Sequence, residues 1–500
     1  LDDVQRVVAR PTINDEVLKV PVGLPQHTLQ RIPQRLPAII SSGDYRNPHD
    51  LILFVLPSSM KSFSALNDFG QKSFTALSDF GGKSLTIESF FVSLYPHKQY
   101  ISMEALFKKH RMLISQVSLE IVREIAHAIS WEKPLVAIRG SRGVGKTTLM
   151  RQYIRTHYGT TAGEALYCVM DSMYFTNHSL LDLSESFHQM GGKHLFLDEV
   201  HKYPNWSKEI KEINDLYPDL KITFTGSSLL QILNADADLS RRVLSYTMEG
   251  LSFREYMHFY HHIEIPVYPL EEILANADQI CDQVNAVCHP LKMFEEYVRV
   301  GYYPFYDGDE TEYYSRIENI VSFIIDQEMV QFCGIDPAYT RRLKAMLLYL
   351  AANIPYEVNI SKLASYLELN KNTVLNYLSY MQKAELLHLL YSDNKSVTKM
   401  QKPDKIYLHN TNMLCALSSD IKIGTIRECF AVNQLSVKHS VEYGKTQGDF
   451  KVDGRWTFEV GGQDKSFNQI ADLPDSFILA DSMEFPVGKK LPLWMVGLIY

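Results

Sequence analysis

Residues 135–148 read Leu135-Val136-Ala137-Ile138-Arg139-Gly140-Ser141-Arg142-Gly143-Val144-Gly145-Lys146-Thr147-Thr148, and this stretch decides the fold. Its middle matches G-x-x-x-x-G-K-[ST], the glycine-rich loop whose backbone N–H groups turn inward around phosphate oxygens. The run before it, Leu135 to Ile138, is apolar and β-prone, and Thr148 to Ile154 after it has helical periodicity. Strand, loop and helix in this order set a helix N-terminus behind the loop, which adds the positive end of the helix dipole to the amides. The pattern predicts nucleotide binding by Gly140, Ser141, Arg142, Gly143, Val144, Gly145, Lys146, Thr147 and Thr148. Lys146 would reach the outer phosphates and the Thr147 hydroxyl would ligate Mg²⁺.

Working outward, Leu195-Phe196-Leu197-Asp198-Glu199 is an apolar strand that ends in two carboxylates, the Walker B pattern. An acidic pair after a strand says little alone, but it gains force some fifty residues beyond a phosphate loop. Asp198 is expected to hold the metal shell and Glu199 to polarise an attacking water. A third strand, Ile222 to Thr225, runs into Gly226-Ser227-Ser228, where Ser227 is a candidate sensor of the outer phosphate. Arg242, in Leu239-Ser240-Arg241-Arg242-Val243, is a candidate to neutralise developing charge, in its own subunit or a neighbour. Lys146, Glu199, Ser227 and Arg242 thus form the expected catalytic set, with Thr147 and Asp198 at the metal.

Four blocks together resemble a large family of prokaryotic AAA-type ATPases. They are the phosphate loop, Leu197-Asp-Glu-Val-His-Lys-Tyr-Pro-Asn-Trp206, Thr225-Gly-Ser-Ser228 and Gly250-Leu-Ser-Phe-Arg-Glu-Tyr256. The resemblance runs from about Met103 to Tyr500, tight in the first half and looser in the second. It implies a parallel α/β sheet with the phosphate-loop strand central and the catalytic glutamate on a neighbouring strand. It also implies a C-terminal domain of unknown function, often described as nuclease-like.

Composition fits an intracellular protein of several domains. Hydrophobic residues make up 46% of 500, enough for two to four cores. The net charge of −8 gives the whole chain no electrostatic footprint for nucleic acid. The six cysteines are dispersed without a C-x-x-C, the pattern of reduced thiols in the cytoplasm. The apolar runs are too short to span a bilayer, so no membrane association is expected.

The first hundred residues read differently. Lys61 to Gln71 and Lys72 to Gly82 are near copies of one eleven-residue unit. Residues 1–102 are therefore expected to be a disordered extension or translated upstream sequence, with the ATPase domain occupying 103–250. A helical stripe of Leu113, Val117, Ile121, Ile125 and Ile129 predicts a lead-in helix from Phe107 to Trp131. Residues 251–340 read as a helical linker or lid.

Residues 341–405 carry a winged helix-turn-helix pattern: Ile360 to Leu367, a turn, then Lys371 to Leu378, with wing strands after them. Ten Lys/Arg against five Asp/Glu between Thr340 and Lys405 leave a local excess of five positive charges. Lys371, Asn372 and Asn376 would face a groove of double-stranded DNA, and Lys395, Lys399 and Lys402 the phosphates. Residues 406–500 alternate strands and helices around Glu428, Asp449 and Glu459. Restriction-type nucleases pair such acids with a lysine two residues on, and Gly461 stands at that position. Lys465 is the one substitute in the next loop, so this domain is expected to be an inactive relic. The chain as a whole reads as a cytoplasmic, Mg²⁺-dependent ATP-hydrolysing switch. Its output is either DNA, through the winged helix, or an unknown protein partner or second copy of itself in a signalling or defence scaffold. An ATP-regulated nuclease is the third reading.

Overall fold

The computed structural model describes residues 97–500 except 162, 230–238, 240 and 393–401, together with four short strands nearer the start. Those strands, β1 (Ala9–Thr12), β2 (Asp15–Pro21), β3 (Ser41–Ser42) and β4 (Asp50–Leu53), pair antiparallel in the order β1-β2-β4-β3. They belong to a unit spanning Leu1–Ile101, separate from the unit Ser102–Tyr500. The eleven-residue repeat, and most of the segment 1–102 for which disorder is expected, lie outside the described residues, the four strands and residues 97–102 excepted.

The second unit begins within α1 (His97–Gln116), continues through α2 (Ile125–Ala128), and then enters the phosphate-loop strand β5 (Leu135–Gly140) and its helix α3 (Lys146–His157). Next come β6 (Ala165–Val169), α4 (Leu180–Gln189), β7 (His194–Asp198), α5 (Trp206–Leu216), β8 (Lys221–Ser227) and β9 (Leu244–Thr247). The five strands form one all-parallel sheet in the order β6-β7-β8-β5-β9. Strands covered on both faces read as unbroken apolar runs, which is why Leu135 to Ile138 and Leu195 to Leu197 are buried throughout. Leu135, Ala137, Leu195 and Leu197 pack on one side with Leu183, Phe187, Ile210 and Ile213 of α4 and α5. Val136, Ile138 and Phe196 pack on the other with Leu149, Tyr153 and Ile154 of α3.

Two expectations need correction here. β8 lies between β5 and β7, so the acid-bearing strand is one strand removed from the phosphate loop, and β5 is fourth of five rather than central. The lead-in helix is also broken. It stops at Gln116, because carbonyls beyond it are captured by α3: Gln152 Nε2 donates to the oxygens of Ser118 and Ile121 at 2.8 and 2.9 Å, and Arg155 to that of Val117.

Residues 251–340 fold into α6 (Phe253–His261), α7 (Leu270–Ala275), α8 (Ala277–Asn285), α9 (Pro290–Val300) and α10 (Glu310–Phe323). A single π-helical turn, Ile324–Glu328, joins α10 to α11 (Met329–Cys333). Then follow α12 (Thr340–Ala352), β10 (Tyr356–Glu357), α13 (Ile360–Leu367), α14 (Lys371–Lys383), β11 (Leu387–Leu390) and β12 (Lys405–Leu408). The three strands form a small antiparallel sheet, β10-β12-β11. After α15 (Thr411–Leu417) and α16 (Ile423–Ser436) come β13 (Val441–Tyr443), β14 (Phe450–Val452), β15 (Trp456–Gly461), β16 (Ser476–Ala480) and β17 (Lys490–Pro492). They form a mixed sheet in chain order, antiparallel up to β15 and parallel beyond it.

Candidate functional site

The phosphate loop sits at the C-terminal edge of the parallel sheet, between β5 and α3. Three of its glycines hold positive φ: Gly140 at 148°, Gly143 at 88° and Gly145 at 104°. A Cβ at Gly140 would stand 2.1 Å from the Met248 carbonyl oxygen, so only glycine fits where β5 meets the end of β9. Lys146 is buried, and its Nζ donates to the carbonyls of Gly140 and Ser141, 2.7 Å each. Burial lowers its pKa, opposed by Glu199, Glu385, Glu328 and Asp198 around it. The ammonium is thus positioned over the loop by carbonyls and ringed by acids.

Asp198, at the end of β7, accepts three hydroxyls. Thr147 Oγ1 reaches both its oxygens at 2.9 and 3.1 Å, Tyr167 donates at 2.7 Å, and Thr225 of β8 donates as well. Thr147 and Asp198, the two expected metal residues, are therefore in contact. Glu199 follows with φ of 58°, a left-handed conformation that non-glycine residues adopt at a cost of about 1–3 kcal/mol. Its N–H donates to Thr225 Oγ1 at 2.9 Å, and its carboxylate lies 3.3 Å from His201 Nε2. Burial lowers the His201 pKa, keeping that ring neutral against the acid.

Ser227 pairs in register with Gly140, which carries the third strand to the foot of the loop. Its hydroxyl donates to Glu328, a buried carboxylate on the π turn whose pKa burial raises. The linker also reaches the loop's tip: the Arg142 guanidinium lies 4.1 Å from the Phe323 ring centre, and a Cβ at Gly143 would meet Phe305 at 2.9 Å. Thr148 is exposed on α3, and Ser141 is buried with its hydroxyl unpartnered.

Arg242 is not brought to this set within its own chain. It is exposed and ion-paired with Asp215, near the C-terminal end of α5, which leads into the N-terminal end of β8. Because α5 runs antiparallel to the strands, that places Arg242 at the sheet edge opposite the phosphate loop. Tyr167, Thr225, His201 and Glu328 were not singled out as site residues from the sequence. Two of them carried a signal: Thr225 as a polar residue at the end of an apolar strand, and His201 as the histidine just beyond the acid pair, there expected to be a packing or capping residue. Glu328 had none, since its approach depends on how α10 and the π turn pack.

Farther along the chain, the C-terminal acids also converge. Glu428 of α16 accepts from Lys405 Nζ at 3.0 Å and from the Tyr407 hydroxyl. Asp449 accepts the Val460 N–H at 2.9 Å, and its pKa rises to about 6 through burial, then the Glu428 charge. Glu459 is buried, with Lys465 Nζ 2.5 Å away.

Residues 132–257 match the family model of an AAA domain. That segment, with its parallel sheet and glycine loop, is similar to AAA-type P-loop domains. Residues 291–423 match a domain of unknown function (DUF8612), which crosses the expected boundaries at 340 and 405. An uncharacterized protein of Methanocaldococcus jannaschii is 31% identical over 290 residues, 55% of this chain and 60% of its own length. A second from that organism is 24% identical over 350 residues, 67% of this chain and 73% of its own. An uncharacterized Haemophilus influenzae protein is 23% identical over 269 residues, 50% of this chain and 60% of its own. The chain thus spans about 60% of the length of the first and third. Among solved structures, AMPPCP-bound DnaA from Aquifex aeolicus matches at 17% identity and a TM-score of 0.23, over 54% of this chain and 88% of that one. C. elegans PCH-2 matches at 13% and 0.21, over 55% and 68%. Among the described residues, no helix is long and apolar enough to cross a membrane.

Proposed function

We propose that the chain hydrolyses ATP with Mg²⁺ and uses the nucleotide state as a switch. The observation that carries this is the contact between Thr147 and Asp198 directly beside Lys146 and Glu199. The donor set fits a magnesium–triphosphate: a hydroxyl and a carboxylate for the hard cation, a buried ammonium for phosphate, and glycines whose amides are free to turn inward. The metal, when bound, supplies Lewis-acid polarisation of phosphate oxygens. Lys146 binds and orients the outer phosphates. Glu199, steadied by Thr225 and His201, takes the proton of the attacking water at its carboxylate. Ser227 hydrogen-bonds in the same space, and its bond to Glu328 gives the linker a direct reading of the site. Any arginine completing the site in trans would come from a neighbouring copy, the role left to Arg242.

The output is double-stranded DNA in the first reading. Supporting it, α13 and α14 followed by the β11–β12 hairpin fit a winged helix, and Lys371, Asn372 and Asn376 are exposed on α14. Lys395 and Lys399 lie outside the described residues. The test is the ATPase rate of the full chain with and without duplex DNA. Stimulation supports the DNA reading; ATP-dependent self-association without stimulation supports a scaffold working through protein contacts in the cytoplasm.

One observation favours a second activity. Lys465 reaches Glu459 from the following loop, so the amine missing at Gly461 is supplied from four residues on. With Asp449 and Glu428 close by, the set has what metal-assisted phosphodiester hydrolysis requires. Nicking of supercoiled plasmid in Mn²⁺ or Mg²⁺, lost in Asp449→Asn and Lys465→Ala, tests it; equal nicking by all three proteins rejects it.

A further inference from the structure

We propose that Glu249, Glu385 and His409 form a binding site for a first-row divalent cation of the Zn²⁺ or Mn²⁺ class, distinct from the magnesium position at Thr147 and Asp198. The proposal goes beyond the ATPase reading and does not depend on it.

The three residues come from separate parts of the chain. Glu249 follows β9, Glu385 sits in the turn between α14 and β11 with φ of 56°, and His409 follows β12. One ligand atom from each lies within 4.8 Å of the other two. His409 is 5% exposed, and its Nε2 stands 3.9 Å from Glu249 Oε2, beyond hydrogen-bond reach. Tyr302 sets which nitrogen carries the proton. Its hydroxyl donates to Glu249 Oε2 at 3.3 Å and lies 3.5 Å from His409 Nδ1. A hydroxyl that gives its one proton to a carboxylate can only accept at the other contact, so Nδ1 bears the hydrogen. Nε2 is left as an unpartnered lone pair, in a buried ring, facing the two carboxylates. His388 stacks on that ring at 4.6 Å and bonds the His409 carbonyl at 3.0 Å, fixing its plane.

The acids tell the same story. Glu385 Oε2 is fully buried without a hydrogen-bond partner, although the Ser141 N–H bonds the same carboxyl group. Burial raises the pKa of both Glu249 and Glu385; the Glu249 charge raises that of Glu385 further, while the Tyr302 hydroxyl and Arg123 oppose the rise at Glu249. Lys146 is engaged by the Gly140 and Ser141 carbonyls, and Arg139 has its Nε unpartnered. Two carboxylates and a neutral imidazole carry the charge of a divalent ion and offer an O, O, N donor set. The imidazole favours Zn²⁺ over Mg²⁺ and Ca²⁺, which take oxygen, while the two carboxylates also admit Mn²⁺. At bond lengths of about 2.0–2.2 Å the ligand atoms must draw in by roughly an ångström, within reach of side-chain rotation. A cation here would clasp the end of β9 to the α14–β11 turn and, through Ser141, to the foot of the phosphate loop.

The test is equilibrium binding of ZnCl₂ to the full chain, stripped with chelator and kept free of nucleotide, with Co²⁺ as a spectroscopic probe. The wild type is expected to hold about one more ion than Glu385→Gln or His409→Gln, each weakening that ion by more than about tenfold. A Co²⁺ d–d band, and a rise of the thermal midpoint on adding Zn²⁺, should appear in the wild type and vanish in Glu385→Gln. That variant keeps the shape of the side chain, and circular dichroism confirms its fold; Glu249→Gln serves if it fails. Equal stoichiometry and affinity in wild type and folded variants would overturn the site. So would wild-type binding no tighter than millimolar. A metal-independent gain in stability for Glu385→Gln, without a Zn²⁺ difference, would assign the cluster to a shared proton instead.

Discussion

Lys146 and Glu199 stand within one ring of charges but differ in what their loss removes. Lys146 is the buried cation proposed to face phosphate, and each charge-assisted hydrogen bond it would give is worth about 1.5–3 kcal/mol. Lys146→Ala should therefore weaken nucleotide binding by about two orders of magnitude, read by fluorescent-nucleotide titration. Glu199→Gln keeps shape and hydrogen bonding while removing the proposed base. Binding should persist and turnover fall by about 10²–10⁴-fold; equal loss of both would contradict the assigned role. Asp449 poses a different question, that of pH. Its folded pKa of about 6 exceeds the ordinary 3.8, so the folded state binds this proton more tightly than the unfolded one. Its contribution favours folding below about pH 4 and is lost as pH rises through 6. Asp449→Asn should then stabilise the metal-free protein above pH 6.5, by about 1–3 kcal/mol, and do nothing at pH 4. Thermal melts in chelator at the two pH values check this, and destabilisation at both would sink it.

At the scale of elements, local signals were readable and captures across the chain were not. The strand Leu135–Ile138, the glycine loop and the acid-terminated strand follow from apolar runs and turn residues adjacent in sequence. The lead-in helix was overread, because an unbroken stripe from Leu113 to Ile129 cannot report that Gln152 and Arg155 bond the carbonyls beyond Gln116. Strand order was hidden for the same reason: β8 enters between β5 and β7 only in three dimensions. The segment released from α1 has its own anchor. Arg123 pairs with Glu255 at 2.8 Å and donates to the carbonyls of Val144, Glu249 and Gly250. Both side chains are about nine-tenths buried, so truncating one leaves an unpaired buried charge. Arg123→Ala should cost about 3–5 kcal/mol in urea unfolding, because it frees Glu255 and three carbonyls at once. A loss under 1 kcal/mol would mean that the segment between α1 and α2 is held by its apolar contacts alone.

For the molecule as a whole, charge separates the two outputs. A chain of net −8 repels a polyanion at long range, while residues 340–405 carry five net positive charges. DNA binding, if it is the output, must be local, short in reach and steeply dependent on salt. Each phosphate contact contributes about −0.9 to the slope of log K against log salt. Lys371 is exposed at the start of α14, so Lys371→Ala should reduce that slope by about one and weaken every duplex alike. Asn376→Ala on the exposed face should leave the slope unchanged and alter preference among sequences instead. Titration of labelled duplexes at several salt concentrations, with the nucleotide state fixed by Glu199→Gln, separates these effects. If the wild type shows no salt-dependent binding, the basic excess is a solvated face, and nucleotide-controlled contact with a protein is the output that remains.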